Sequence, residues 1–326
     1  MSTDRPIALV TAPLRGPDLD RLGTIADVVF DPWIEHVPLR VWGPDELAAQ
    51  IDTTGAGIVI CEADFCSGPV FERDLVLIGS TRGDPTNVDL AGATAAGIPV
   101  LRAPGRNADA VAEMTVALLF AVGRQLLAAD RDMRTGNVFG ETIPYQRFRS
   151  WQMAGRTIGL IGLGAVGRAC QWRMEGLGMT VIAADPYSDH ATHSLEQLLA
   201  EADVVSMHAP ASPDTFGMMG RAQFEAMKEG SIYLNTARAG LHDTEALVAA
   251  LASEHLGGAG LDHVEGEVLP TDHPLLDLPN VVLTPHIGGA TYDVEVNQTA
   301  MMLEGVTDVL AGRRPANIAN PEVYDR

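Results

Sequence analysis

The chain has 326 residues, of which 46% are hydrophobic and 20% charged, and this length and composition predict two domains with buried cores. Its 22 basic and 43 acidic residues give a formal net charge of −21, which disfavours binding to nucleic acid or to an anionic membrane surface. A single lysine, Lys228, argues against Walker-type phosphate loops and Schiff-base chemistry. No secretory signal and no run of about 18 apolar residues is found, so a cytoplasmic location is expected.

Short apolar runs alternate with helical patterns in the first hundred residues. Runs rich in Ile and Val, bounded by Gly, Pro or Asp, predict strands at residues 7–11, 56–61, 75–79 and 98–101. A helix is predicted over residues 44–51, because proline suits the first turn of a helix. This alternation is typical of parallel α/β layers.

A long amphipathic segment follows at residues 107–135, with a cap at Asn107 and a stop at Gly136. The pattern fits either a core helix or a helix shared between domains or subunits. A second strand–helix series then predicts a doubly wound sheet of Rossmann type. Its six strands are predicted at residues 157–161, 180–184, 204–207, 231–235, 258–261 and 281–284. Its helices are predicted to start near Ala165, Ser194, Arg221, Asp243 and Tyr292, the last ending at Gly312.

A dinucleotide-binding pattern, G-x-G-x-x-G, lies between the first of these strands and a helix. It reads Gly162-Leu163-Gly164-Ala165-Val166-Gly167. Gly162 allows a tight turn, Gly164 lets a pyrophosphate approach backbone N–H groups, and Gly167 lets helix and strand pack closely. Arg168 would add a charged contact at the helix N-terminus. Asp185 ends the next strand, where a carboxylate accepts ribose hydroxyls and repels a 2′-phosphate, so NAD is predicted rather than NADP. The alternative is an ordinary glycine turn with a surface aspartate.

Three ionisable side chains follow later strands of the same series: Arg238, Glu267 and His286. A guanidinium binds a carboxylate in bidentate fashion and polarises a neighbouring carbonyl. An imidazole suits the removal of a hydroxyl proton while hydride leaves carbon, and a glutamate would orient that ring. Each residue also has an ordinary interpretation, as a surface arginine, a solvated glutamate and a histidine bonded to the backbone. Their joint position at the cofactor edge of a Rossmann sheet favours the catalytic interpretation.

Several stretches occur together in the order of one protein family. They are Asn87-Val88-Asp89, residues 104–107 with Val111-Ala112-Glu113, residues 159–167, Asp185-Pro186-Tyr187, His208-Ala209-Pro210, residues 235–240 with Asp243, residues 260–267 and residues 284–290. On these stretches, which run from about residue 75 to 291, the chain resembles the D-isomer-specific 2-hydroxyacid dehydrogenases. That family includes D-lactate, D-glycerate, D-3-phosphoglycerate and formate dehydrogenases.

The resemblance implies two Rossmann-like lobes and assigns NAD as the cofactor. A discontinuous, flavodoxin-like substrate lobe is expected at residues 1–104 with 292–326, and a central NAD-binding lobe at residues 105–291. A homodimer formed through the segment at residues 107–135 is a further implication. Arg238, Glu267 and His286 become the catalytic set. Beyond the glycine motif, Arg168 and Asp185, cofactor contacts are implied for His208, Pro210, Thr215, Thr236, Ala237, Asp262 and Gly288, with Asp262 on the nicotinamide side.

The chain departs from the family pattern at three places. In the family, a glycine-rich loop presents N–H groups to the substrate carboxylate; here the matching stretch reads Ser80-Thr81-Arg82-Gly83-Asp84-Pro85-Thr86-Asn87. His263 follows Asp262, and Val268 stands where the family usually has proline after its catalytic glutamate. These departures leave the chemistry intact and concern the identity of the substrate.

The residues expected to bind substrate are Arg82, Gly83, Asp84, Arg238 and His286. An arginine in the carboxylate-binding loop favours a second anionic group on the substrate, as in D-3-phosphoglycerate, because a guanidinium binds such groups in bidentate fashion. The nearby acidic residues Glu62 and Asp64 would repel it. In the alternative, Arg82 turns outward and pairs with Asp84, which leaves a pocket for glyoxylate or hydroxypyruvate.

The sequence therefore predicts an oxidoreductase that transfers hydride between NAD(H) and a D-2-hydroxy acid/2-keto acid pair. The alternative from another class is an NAD-binding sensor or corepressor-like protein on the same fold, against which the intact Arg/Glu/His set argues. No metal site is predicted. His190 and His193 have a suggestive spacing, but no further ligand completes a site there.

Overall fold

The computed structural model describes residues 5–325, which form two compact α/β units. One unit, which we call the split unit, comprises the chain up to Arg106 together with the segment from Thr291 onward. The other, the central unit, comprises Asn107–Ala290. These boundaries lie within two residues of the expected divisions after residues 104 and 291.

Eleven strands and eleven α-helices are found within residues 5–325. The strands are β1 (Ile7–Val10), β2 (Asp27–Phe30), β3 (Ile58–Cys61), β4 (Leu77–Ser80), β5 (Val100–Leu101), β6 (Thr157–Ile161), β7 (Thr180–Ala184), β8 (Val204–Met207), β9 (Ser231–Asn235), β10 (Leu256–Leu261) and β11 (Val281–Leu283). The helices are α1 (Pro17–Ile25), α2 (Pro44–Thr54), α3 (Leu90–Ala95), α4 (Ala108–Gly123), α5 (Leu126–Thr135), α6 (Pro144–Arg147), α7 (Ala165–Gly176), α8 (Leu195–Glu201), α9 (Arg221–Ala226), α10 (Thr244–Ala252) and α11 (Tyr292–Leu310).

The split unit contains a parallel sheet in the order β2-β1-β3-β4-β5, which confirms the flavodoxin-like prediction. All four residues of β3 and of β4 are buried, which explains why their apolar runs were recognisable in the sequence. The edge strand β2 is largely exposed and was not predicted. The C-terminal helix α11 completes this unit, because Met302 and Val306 pack in the same core as Leu77.

The central unit contains a six-stranded parallel sheet in the order β11-β10-β9-β8-β6-β7. Hydrophobic cores that cover its two faces make it the doubly wound sheet that was predicted. The chain crosses over after β7, so β6 and β8 are neighbours at the switch point. The register places the last residues of five strands in one row, namely Ile161, Met207, Asn235, Leu261 and Leu283. The loops that follow these strands therefore meet at one edge of the sheet.

The segment at residues 107–135 is two helices rather than one. Helices α4 and α5 meet at an angle of 61°, and the break falls at Gln125, whose φ of +51° lies outside the helical range. α4 is a core helix with six buried residues, whereas no residue of α5 is buried, and Asn107 makes no side-chain cap. Within residues 5–325, no helix alone has the length and apolar character to span a membrane; only the bent α4–α5 pair, taken together, reaches both.

Candidate active site

The turn between β6 and α7 has the geometry of a phosphate-binding loop. Gly162 has a φ of +96°, and a Cβ there would lie 2.7 Å from the backbone nitrogen of Ala209, so only glycine fits. A Cβ at Gly167 would lie 2.1 Å from the carbonyl oxygen of Gly162. A Cβ at Gly164, in contrast, would meet no atom of residues 5–325 within 4 Å. The turn is therefore tightly packed behind Gly164 and open in front of it, at the N-terminus of α7, where backbone N–H groups favour an anion.

Asp185 and Arg168 brace this turn. The two carboxylate oxygens of Asp185 accept hydrogen bonds from the backbone N–H groups of Leu163 at 2.7 Å and Tyr187 at 2.9 Å. The Arg168 guanidinium donates from Nη1 to the Leu163 carbonyl oxygen at 2.6 Å. Each oxygen of Asp185 retains a further lone pair for a ribose hydroxyl. Both side chains thus lie at the turn where the sequence expected them, and the structure adds a bracing role.

His208 follows β8 and is buried beside the Gly162 turn. Its Nε2 is hydrogen-bonded to the hydroxyl of Ser206 at 2.9 Å, while its buried Nδ1 has no hydrogen-bond partner within residues 5–325. Burial lowers the pKa of His208 to about 4, so the ring is neutral at pH 7. An unpartnered buried nitrogen next to an open glycine turn fits a site built for a polar ligand, and it supports the assignment of a dinucleotide here.

The remaining residues expected at the cofactor follow β8 and β9. The hydroxyl of Thr215 donates to the Pro210 carbonyl oxygen at 2.6 Å, which closes the loop after β8. The hydroxyls of Thr236 and Thr115 are 2.9 Å apart and tie the end of β9 to α4. Ala237 follows directly on that strand end. These contacts place the residues at the same sheet edge as the glycine turn, and direct contact with NAD stays a prediction.

Glu267 and His286 form a hydrogen-bonded pair. Nδ1 of His286 lies 3.1 Å from Oε1 of Glu267, and about half of each side chain is exposed. Both residues have positive φ values, +62° and +55°, and they are two of only four non-glycine residues with positive φ in the described chain. Backbone strain in an exposed ionisable pair is typical of a functional site. Because Nδ1 faces the glutamate, Nε2 is the ring nitrogen left for a substrate.

Asp262 fixes the loop that carries His286. Its buried carboxylate accepts hydrogen bonds from the Thr284 hydroxyl at 2.6 Å and from the N–H groups of Ile287 at 3.0 Å and Gly288 at 2.7 Å. Its backbone carbonyl oxygen accepts the N–H of His286 at 2.9 Å. The sequence predicted Asp262 and Gly288 at the cofactor; the structure shows them bonded to each other, in a role that positions His286.

Arg238 follows β9 and is exposed. Its Nη1 donates to the carbonyl oxygen of Ala237 at 2.6 Å, and its own carbonyl oxygen accepts from the side chain of Asn235 at 2.8 Å. No carboxylate pairs with its guanidinium in the part of the chain that the structure describes. An exposed guanidinium without an acidic partner is available to bind a carboxylate ligand.

His263 is a site residue that the sequence reasoning noted only as a departure from the family. Its ring is buried, with its centroid 3.7 Å from that of His286, and its Nδ1 lies 3.5 Å from Oε1 of Glu267. Burial, and then the neighbouring His286 and Arg238, lower the pKa of His263 to about 4. Glu267 and His286 thus lie beside His263, and Arg238 exerts an electrostatic effect on the same ring. In the sequence, the place of His263 beside these residues was indicated by its position, one residue after Asp262 at the end of β10.

The loop at residues 82–84 belongs to the split unit. The Arg82 guanidinium donates from Nε to the carbonyl oxygen of Glu62 at 2.7 Å and from Nη1 to the Thr86 hydroxyl at 3.0 Å. The alternative pairing of Arg82 with Asp84 is not among the ion pairs within residues 5–325. The carboxylate of Glu62 pairs instead with Arg106. Arg82 is thus held by its own unit, and contact of Arg82, Gly83 or Asp84 with substrate stays a prediction.

Comparison with known proteins identifies the central unit. The family described as "D-isomer specific 2-hydroxyacid dehydrogenase, NAD binding domain" matches residues 116–288. The glyoxylate reductase of Thermofilum pendens is 33% identical over 98% of this chain and 96% of that protein. The D-3-phosphoglycerate dehydrogenase of Archaeoglobus fulgidus is 35% identical over 76% of this chain and 48% of its own length. Among solved structures, the TT0316 protein of Thermus thermophilus has a TM-score of 0.81 and 37% identity, covering 96% of this chain and 99% of that one.

Proposed function

This chain belongs to the D-isomer-specific 2-hydroxyacid dehydrogenases, and we propose that its substrate is a small 2-keto acid with one carboxylate, such as glyoxylate or hydroxypyruvate. It is an NAD-dependent oxidoreductase acting on a 2-hydroxy acid/2-keto acid pair. The observation that carries the choice of substrate is the state of Arg82, because two of its three guanidinium nitrogens already donate within its own unit. The near full-length match to a glyoxylate reductase supports the same choice.

Catalysis would use Arg238, Glu267 and His286, which follow strands that end at one edge of the central sheet. Arg238 binds the substrate carboxylate and polarises the adjacent keto group. His286 donates a proton from Nε2 to the keto oxygen during reduction and accepts it during oxidation. Glu267, hydrogen-bonded to Nδ1, orients the ring and stabilises its protonated form. Asp262 holds the backbone of His286 in its strained conformation.

NAD would be held at the turn between β6 and α7, with its phosphates at Gly164 and a ribose at Asp185. When bound, NAD(H) supplies or accepts the hydride at C2 of the acid. The neutral, buried His208 and the row of strand ends from β6 to β11 would line the same edge.

The proposal is tested by following NADH oxidation with a panel of 2-keto acids and with Arg82→Ala as the comparison variant. The panel contains glyoxylate, hydroxypyruvate and pyruvate as monoanions, and 2-oxoglutarate and 3-phosphohydroxypyruvate as substrates with a second anionic group. We expect kcat/KM to favour the monoanions by at least about tenfold, or about 1.4 kcal/mol. Arg82→Ala should change kcat/KM by a similar factor for all substrates. A preference for dianions that Arg82→Ala selectively removes would contradict it. NADH binding without any turnover would favour the sensor interpretation.

We also propose that the protein is a homodimer. Large apolar side chains are concentrated on the surface between residues 126 and 151, which is typical of an interface. They are Leu126, Leu127, Met133, Phe139, Ile143, Tyr145 and Trp151. Light scattering at micromolar concentration should give twice the chain mass of 34.6 kDa, and Trp151→Glu should lower it, whereas Val37→Glu, at an exposed apolar position of the split unit, should not. A wild-type mass equal to one chain would contradict the proposal.

A further inference from the structure

His263, Glu267 and His286 converge in the central unit in a way that the hydride chemistry does not require. One ligand atom from each lies within 4.8 Å of the other two. Oε1 of Glu267 is 3.1 Å from Nδ1 of His286 and 3.5 Å from Nδ1 of His263. Ligands around a tetrahedral Zn²⁺ with bonds of about 2.0–2.1 Å lie roughly 3.3 Å from one another. The three groups are thus close to the spacing of a zinc site.

His263 supplies a second, independent observation. Its ring is 3% exposed, and its Nδ1 is a buried nitrogen without a hydrogen-bond partner in the described chain, because the 3.5 Å contact with Glu267 lacks hydrogen-bond geometry. A buried polar atom is normally paired. The unpaired nitrogen of a neutral imidazole, close to a carboxylate oxygen, is the kind of ligand that a borderline divalent cation binds.

Charged groups next to His263 act in both directions. The carboxylates of Glu267 and Asp262 favour a positive charge there, and the guanidinium of Arg238 opposes it. Glu267 and His286 are half-exposed, so they are accessible to an ion from solvent. Two imidazoles and one carboxylate, with a fourth position open, form a ligand set that zinc accepts in proteins.

We propose that His263, Glu267 and His286 bind Zn²⁺ and that the bound ion reversibly inhibits the enzyme. Zinc on Nδ1 of His286 replaces the hydrogen bond to Glu267 and leaves the only ring proton on Nε2. The ring then has no lone pair for the hydroxyl proton of a 2-hydroxy acid. It is also a weaker acid than imidazolium, so reduction slows as well. The inhibition rests on the proposed role of His286, whereas the binding does not.

Binding is measured by titrating ZnCl₂ into the chelator-treated, full-length protein with NAD⁺ in a calorimeter. We expect one zinc ion per chain in the wild type and in His190→Gln, which removes an exposed histidine elsewhere in the central unit. His263→Val and Glu267→Gln should each weaken binding by at least about tenfold. Equal affinity in all four proteins, or no saturable binding by the wild type, would overturn the site.

Inhibition is measured as the rate of 2-keto acid reduction against zinc concentration. The wild type should lose activity reversibly and regain it with EDTA. In His263→Val, half-inhibition relative to its own zinc-free rate should need at least about tenfold more zinc. Zinc bound at His263 without loss of rate would overturn the inhibitory role. If no 2-keto acid is turned over, the proposed function fails while calorimetry still decides the zinc site.

Discussion

After β1 of the split unit, the turn at residues 11–16 is covered by α11. The buried Gln298 donates to the carbonyl oxygen of Pro13 at 2.5 Å, and Thr299 accepts the N–H of Arg15 at 2.9 Å. The first five strands of the central unit have the same order, yet in the corresponding turn a Cβ at Gly164 would have no described atom within 4 Å. Two sheets with the same strand order thus differ in how open this turn is. We expect nucleotide binding at the β6–α7 turn, where the glycine pattern leaves the helix N-terminus uncovered.

The charged residues that follow the strands also differ between the two units, in whether they are bonded within their own unit. In the split unit, Arg82 and Arg106 are bonded within the unit, to the carbonyl and the carboxylate of Glu62 respectively. In the central unit, Arg238 has no acidic partner among the described residues, and His286 is half-exposed on a strained backbone. The two arginines of the split unit are engaged within the fold, whereas Arg238 and His286 are available, as expected of candidate ligand-binding residues.

The largest expected effect comes from removing the imidazole at the open edge. His286→Gln should lower kcat by roughly 10²–10⁴, the usual contribution of a general acid/base, while the Kd for NADH stays near that of the wild type. His36→Gln in the split unit, where His36 pairs with Asp31, serves as the control and should leave kcat unchanged. Near-normal turnover by His286→Gln would remove the catalytic assignment.

Much of the difference between the two units could be predicted from the sequence, because buried parallel strands are continuous apolar runs and the glycine motif has a fixed spacing. The strands of the central unit were predicted to within two residues at each end. The edge strand β2 and the helices α1 and α3 were not predicted. β2 is short and partly exposed, so it carries no strong pattern. The break between α4 and α5 depends on the φ angle of Gln125, and neither a proline nor a change in hydrophobic periodicity indicates it in the sequence.

At the candidate site, the sequence predicted the chemical groups but not all of their contacts. The strand ends placed Arg238 and His286 at one edge, as parallel topology requires. The contact between the tilted rings of His263 and His286 joins residues 23 positions apart through two loops, and it depends on loop conformation. The sequence did not predict that Asp185 accepts a hydrogen bond from the N–H of Leu163 in the glycine turn. The motif indicates contacts with a ligand and not hydrogen bonds within the loop.

The turn after β1 and the turn between β6 and α7 can be compared by replacing one glycine in each with alanine. Gly162→Ala and Gly16→Ala both force alanine to a positive φ, +96° and +90°, so both should lower the thermal unfolding temperature. Only Gly162→Ala should also raise the Kd for NADH, by about 10–100-fold, since strain of about 1–3 kcal/mol falls on the binding loop. Equal NADH affinity in the two variants would mean that the cofactor does not use the β6–α7 turn.

Low pH should destabilise the central unit more than the split unit. Burial lowers the pKa values of His208, His242 and His263, all in the central unit, to about 4, whereas His36 of the split unit is partly exposed. The unfolded state binds more protons between pH 6.5 and 4, so stability is present above this window and is lost as the pH falls through it. Each such histidine changes the folding equilibrium by up to about tenfold per pH unit. Hydrogen exchange should show protection lost first in the central unit; earlier loss in the split unit would be inconsistent with this.

The smallest effect concerns cofactor choice. Because Asp185 lies at the β6–α7 turn, kcat/KM should favour NADH over NADPH by at least about tenfold, or about 1.4 kcal/mol. Asp185→Ser, which removes the charge, should narrow that ratio. Equal use of both cofactors by the wild type would show that the Asp185 carboxylate does not face the ribose.

The most direct test of the open edge is a crystal structure of the protein with NAD and oxamate, an unreactive analogue of a 2-keto acid. The expected complex has phosphates at Gly164, the oxamate carboxylate on the Arg238 guanidinium, and the oxamate carbonyl oxygen within hydrogen-bond distance of Nε2 of His286. Oxamate bound away from Arg238 and His286, with the Arg238 guanidinium still on the Ala237 carbonyl oxygen, would contradict it.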